Sequence, residues 1–121
     1  MIDQEVERTT GLSLSWYDVL LELNAAPKRR LRMLDLGEAV VLSRTRVSRL
    51  VDELVDAGFV RRVPNPGDRR SAYAELTPEG RAAFRRAAPV YLASIRLHLG
   101  ERVGPREAAS LRRIMDTALE R

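Results

Sequence analysis

The chain has 121 residues, 45% of them hydrophobic, and a formal net charge of +4, which suits one globular domain with a modest core and is too short for two independent cores. With no Cys and His98 as its single His, it excludes disulfides and thiol chemistry and leaves a classical zinc site almost without ligands, so neither metal nor cofactor is expected. No apolar run approaches the roughly 20 residues of a membrane span, and the start from Met1 to Arg8 lacks the basic and apolar blocks of a signal peptide, so a cytoplasmic location without membrane attachment is expected.

The charge is uneven along the chain. Residues 1–27 hold one basic and five acidic side chains, residues 28–70 eleven and six, and residues 71–121 nine and six. The middle third is the positive one, and every basic residue but Lys28 is Arg. Arginine suits forked hydrogen bonds to phosphate, although an Arg-favouring codon usage accounts for part of this bias.

Taken in order, residues 1–12 offer only Ile2, Val6 and Leu12 as apolar side chains, so a helix here is short and needs a partner to hold it. Gly11 to Leu23 reads as a helix capped by Ser13 or Ser15, with Trp16, Leu20 and Leu23 as its stripe, ending before Ala26 and Pro27. Leu31 to Met33 reads as a short strand able to pair with a later hairpin. Leu34 to Val40 gives another short helix, in which Gly37 costs about 1 kcal/mol of propensity against Ala and points to a close neighbouring helix. Val41 and Leu42 join it to a helix from Ser43 to Gly58, which completes a helix-turn-helix.

The helix from Ser43 carries the most information. Val47, Leu50, Val51, Leu54 and Val55 recur at the spacing of one buried stripe. Ser43 can cap its start, and Gly58 can end it in a left-handed turn. Thr45, Arg46, Ser48 and Arg49 lie off the stripe in the first two turns, whereas Asp52, Glu53 and Asp56 occupy the later ones. A phosphate-lined groove attracts the first half and repels the second, so the pattern permits DNA to meet the N-terminal end. An ordinary surface helix with an Arg49–Glu53 pair at i,i+4 spacing reads equally well from this segment alone.

The next residues shift that balance. Phe59 to Val63 and Ala72 to Leu76 read as two strands around a basic turn, with Ala72, Ala74 and Leu76 on one face of the second strand and Tyr73 and Glu75 on the other. The tip carries Arg69 and Arg70, slim enough for a minor groove, and Asp68 can orient a guanidinium. Arg44 lies nearer the buried side by helical angle and suits phosphate, while Arg46 or Arg49 suits base edges. The hydroxyls of Ser43, Thr45 and Ser48 fit phosphate or base-edge contacts, capping being the better account of Ser43. Arg32, at the end of the Lys28-Arg29-Arg30-Leu31-Arg32 cluster, completes the candidate DNA-contacting set.

Thr77 and Pro78 then supply the N-cap and first position of a further helix. Phe84, Ala87, Ala88, Tyr91, Leu92, Ile95 and Leu99 give it a wide buried strip, Pro89 predicts a kink, and Gly100 closes it. Gly104 to Glu107 opens a last helix striped with Ala108, Leu111, Ile114, Met115, Ala118 and Leu119. Two such helices bear more apolar surface than one small core needs, and a symmetric dimer would use it.

The run Asp68-Arg69-Arg70-Ser71-Ala72-Tyr73-Ala74-Glu75-Leu76-Thr77, placed after the Ser43 helix and before Thr77-Pro78-Glu79-Gly80-Arg81, resembles the wing signature of the MarR family of winged helix-turn-helix transcription regulators. Ala74 departs from the family's usual branched residue and bears on packing, and the family's first helix is usually longer than residues 1–12 allow. The resemblance implies a mainly α fold with a small β-hairpin wing (α+β) in a single domain over 1–121. Its DNA-binding lobe spans 13–80, and dimerisation helices span 1–12 and 81–121. It further implies a homodimer on double-stranded, palindromic operator DNA, typically a repressor relieved by a small aromatic effector. For that effector Trp16, Tyr17, Arg85 and Tyr91 are candidates, although aromatics on a helix stripe are usually core. No constellation for catalysis is present. The rival reading is a winged helix that docks protein without touching DNA, which would not need arginines at both the helix start and the wing tip.

Overall fold

The computed structural model describes residues 8, 10–40, 42–67, 72–98 and 113–114, with the side chains of Arg44 and of residues 94–98 outside that description. Most of the expected terminal dimerisation segments, including Gly100 and nearly all of the last helix, lie outside the described residues. So does the wing tip at Asp68, Arg69 and Arg70.

Helix α1 runs from Leu14 to Ala25, and Ser13 caps it by accepting from the Trp16 backbone N–H at 3.1 Å. The expected stripe of Trp16, Leu20 and Leu23 is too narrow: Tyr17, Val19 and Leu21 are buried as well, and Trp16 is only half-buried. The cause is tertiary, because α1 packs against the sheet and three other helices and so buries most of its circumference. A short 3₁₀ turn from Pro27 to Arg29 leads into strand β1, Arg30–Arg32. Helix α2, Met33–Ala39, begins one residue earlier than expected, which takes Met33 out of the strand.

Helix α3, Arg44–Asp56, follows the α2–α3 turn. Gly37 has the expected close neighbour, since a Cβ there would lie 3.4 Å from the Leu42 carbonyl oxygen and 3.8 Å from Val47 Cγ1, but these are ordinary contact distances and a methyl group would fit. Val47, Leu50, Val51 and Leu54 are buried, but Val55 is 37% exposed and does not belong to the stripe. At 100° per residue it falls on the stripe's edge, which the described residues leave partly uncovered. Gly58 ends the segment at φ +82°, in the left-handed region.

Strands β2, Val60–Val63, and β3, Tyr73–Leu76, form the antiparallel wing, and β1 pairs with the other side of β3 to give the order β1-β3-β2. Ala74 is fully buried in the central strand, so the small residue at this position does bear on packing. On the opposite face Glu75 is flanked across the strands by Arg30 and Arg61, while the Arg30 guanidinium lies 4.6 Å over the Tyr73 ring.

Helix α4, Pro78–His98, starts on Thr77, whose hydroxyl accepts from the Gly80 N–H at 3.0 Å and donates to the Gly58 carbonyl at 2.7 Å. Pro89 lies inside it and the helix continues past. Tyr17 joins α1 to α4 by stacking between Phe84 and Tyr91, with ring centroids 5.3 and 4.3 Å away. The Tyr91 hydroxyl donates to the Leu12 carbonyl. One core thus lies between α1, α3, α4 and the inner face of the sheet.

Candidate nucleic-acid interface

The local cause of the interface is the amphipathic character of α3. Burial of Val47, Leu50, Val51 and Leu54 turns Thr45, Arg46 and Arg49 outward, and all three are exposed. Ser43 accepts from the Arg46 N–H at 3.2 Å, which satisfies one end donor and sets the first turn. Among the described residues neither Arg46 nor Arg49 engages its guanidinium in an ion pair or side-chain hydrogen bond. Asp52, Glu53 and Asp56 are exposed farther along, so the graded charge holds in three dimensions. Glu53 does not pair with Arg49; it accepts from Trp16 Nε1 at 2.8 Å and ties α3 to α1.

Ser48 is half-buried and lies under the wing. Arg62 of β2 places Nη2 at 3.3 Å from both its hydroxyl and its carbonyl oxygen, and Nη1 at 2.7 Å from Asp52 Oδ1. Sequence reasoning missed Arg62, yet alternation along β2 contains the signal: Arg62 pairs with inward-facing Ala74, so it points toward α3. Arg32 stands exposed at the end of β1 and forks onto Asp35 with Nε at 2.9 Å and Nη2 at 3.4 Å. Arg44 occupies the first position of α3. In the turn that leads toward the wing tip, the Gly67 N–H donates to Asn65 Oδ1 at 3.0 Å. An outward cationic helix start beside a basic-flanked hairpin is a surface matched to a phosphate-lined groove.

The MarR family model matches residues 10–71, more than half of the chain. A MarR family transcriptional regulator from Streptomyces coelicolor, solved in complex with DNA, is 35% identical over 98% of this chain and 74% of its own, with a TM-score of 0.78. This chain belongs to the MarR family of transcriptional regulators. AbsC, a second family member from Streptomyces coelicolor, is 29% identical over 98% of this chain and 82% of its own, with a TM-score of 0.76. A mutant MarR from E. coli complexed with operator DNA is 21% identical over 98% of this chain and 85% of its own, at a TM-score of 0.70, and attests the fold. No curated protein matches the chain.

In this MarR protein the four effector candidates have different surroundings among the described residues. Tyr17 and Tyr91 are fully buried in the aromatic stack. Trp16 meets Phe59 edge-on at 6.1 Å and donates to Glu53. Arg85 is exposed and borders a cleft of about 470 Å³ that Arg29, Thr77, Pro78 and Arg81 also line. Arg29 and Lys28 both sit at φ 58°, in the left-handed region, and Arg29 Nη1 donates to the Asn24 carbonyl.

Sequence reasoning also missed a long-range cationic tie to α1. Arg113 donates to Glu22 Oε1 at 2.6 Å and to Asp18 Oδ2. Burial pushes the Asp18 carboxyl above its ordinary value, against the opposing pull of the Arg113 hydrogen bond and charge. For Arg113, burial disfavours the charged form, but Asp18 and Glu22 more than offset it and hold the guanidinium above its ordinary value. Neighbouring Ile114 is buried in the same core. Among the described residues no helix is long and apolar enough to cross a membrane, and no group of acidic and His side chains could hold a metal ion.

Proposed function

We propose that this chain acts as a homodimeric, sequence-specific regulator that binds a palindromic operator and represses transcription until a small aromatic effector releases it. It works in the cytoplasm by binding rather than by catalysis. The observation that carries this reading is the exposed Thr45, Arg46 and Arg49 surface of α3 in a chain that aligns over 98% of its length with a family member solved on DNA.

Each α3 enters a major groove, with Arg46 and Arg49 on base edges and with Arg44, Thr45, Ser43 and Ser48 on phosphate or base edges. Each wing directs Arg69 or Arg70 into the adjacent minor groove, Asp68 orienting it, and Arg32 adds a backbone contact. Residues 13–80 form the DNA-binding lobe, and residues 1–12 and 81–121 the dimer contacts. Two-fold symmetry then separates the half-site centres by about one helical turn, ~34 Å. The effector acts at Trp16, Tyr17, Arg85 or Tyr91; of these Arg85 is the exposed one and borders an arginine-lined cleft. A MarR relative from Bordetella bronchiseptica whose DNA binding is regulated by 6-hydroxynicotinic acid supports that class of ligand.

Fluorescence anisotropy of labelled duplexes, including the promoter beside the gene, at two salt concentrations tests the reading. Salt-sensitive binding that prefers one palindrome is the expected result, and absence of binding by a dimer at low salt refutes it.

A further inference from the structure

The strand register turns Arg62 inward, and its guanidinium reaches across to two successive turns of α3. Asp52 Oδ1 holds one terminal nitrogen at 2.7 Å, which leaves the other directed at the Ser48 hydroxyl and carbonyl oxygens, both at 3.3 Å. A guanidinium has donors only, and a hydroxyl has one donor and two acceptor sites. With Nη2 of Arg62 donating to its oxygen, the Ser48 hydroxyl turns its proton away from the guanidinium. The same positive charge disfavours a second donor, such as an exocyclic base amine, from approaching that oxygen.

We propose that Arg62, fixed by Asp52, presets Ser48 as a hydrogen-bond donor, so that this point of α3 selects a base edge presenting an acceptor. The matching edges in the major groove are guanine N7 and O6, adenine N7 and thymine O4, while the exocyclic amines of adenine and cytosine are rejected. Arg62 is a positioning residue for base readout and acts through Ser48. The inference rests on the reading in which α3 enters the major groove. It concerns one base position in that groove, and the affinity of the whole complex tests the groove reading separately.

The test is selection of preferred duplexes from a pool randomised across the operator half-site, followed by anisotropy on the selected sequences. Wild type is compared with Ser48→Ala, Arg62→Met, Arg62→Lys, Asp52→Asn and the Ser48→Ala/Arg62→Met double variant. Thermal melts confirm that each is folded; Arg62 and Asp52 are 42% and 59% exposed, so their replacement leaves the core intact. Ser48→Ala is expected to lose a roughly 3- to 10-fold preference at one position, the worth of a single hydrogen bond. Arg62→Met should lose it at that same position, with no further loss in the double variant. Arg62→Lys should recover part of it, and Asp52→Asn should weaken it. A wild type with no base preference at any position that Ser48→Ala alters overturns the proposal. So does an Arg62→Met protein that keeps the preference, or one that loses affinity equally for all sequences with a shallower salt slope, the mark of a phosphate contact. A Ser48→Ala protein that binds DNA with unaltered preference overturns it while leaving the groove reading intact. Wild type without DNA binding overturns both.

Discussion

Gly80 stands so close to Phe59 that a Cβ built on it would lie 2.0 Å from the Phe59 carbonyl oxygen and 2.8 Å from its carbonyl carbon. That same oxygen accepts from the Thr77 N–H at 3.1 Å, and the Thr77 hydroxyl donates to the Gly58 carbonyl at 2.7 Å. The first turn of α4 is therefore latched onto the turn that ends α3, which links the helix bearing Thr45, Arg46 and Arg49 to the long helix α4.

Substituting Gly80→Ala should break that latch. The atoms in the way are backbone, so the added methyl group must displace the α3–β2 turn, at a cost of about 1 to 3 kcal/mol. Urea unfolding reads the loss directly. A Gly80→Ala midpoint equal to wild type would show that the two turns can separate freely.

The Trp16–Glu53 hydrogen bond spans 2.8 Å between α1 and α3. Trp16→Phe keeps an aromatic body against Phe59 and removes the donor. Because Glu53 is exposed and water can replace the indole N–H, the expected loss is modest, about 0.5 to 1.5 kcal/mol. Glu53→Gln should cost less than Trp16→Phe, since an amide oxygen still accepts. Denaturant midpoints of the two variants give the comparison.

Arginines of the helix and of the wing should respond differently to truncation. Arg70→Ala is expected to weaken binding to all duplexes and to lower the salt slope by about 1, whereas Arg49→Ala should relax preference at one base by about 1 to 3 kcal/mol. Anisotropy across salt, on cognate and scrambled duplexes, separates the two. An unchanged salt slope for Arg70→Ala removes the wing from the interface.

The Asp18 carboxyl titrates above its ordinary value because burial outweighs the attraction of Arg113. A raised folded-state value means that the native protein binds the proton more tightly than the unfolded chain. This group's contribution is thus fully present below the ordinary carboxylate value and is lost as pH rises through the higher folded value. Asp18→Asn removes that slope. Stability measured from about pH 3 to about pH 7 should fall less steeply with rising pH, relative to its own acid value, in Asp18→Asn than in wild type. Parallel profiles would mean that Asp18 ionises no less readily than in the unfolded chain.

Much of this molecule was legible in the sequence because its causes are local. Ser43 caps the helix that follows it, Val47, Leu50 and Leu54 repeat at the helical period, and Gly58 supplies the left-handed residue that ends the segment. Thr77 and Pro78 start a helix for equally local reasons, and the alternation around Ala74 assigns the faces of β3. The outward-facing Thr45, Arg46 and Arg49 follow from that periodicity alone, and so the candidate DNA surface could be read before any fold was known.

What only the tertiary structure decided depends on residues distant in sequence. That Trp16 donates to Glu53, that Arg113 closes on Asp18 and Glu22, and that Gly80 must lack a side chain because Phe59 is there follow from how elements pack. Val55 is left outside the stripe, and α1 is buried on most of its circumference, for the same reason. Periodicity gives the direction in which a side chain leaves its own helix or strand, whereas burial and pairing depend on which neighbour occupies that direction.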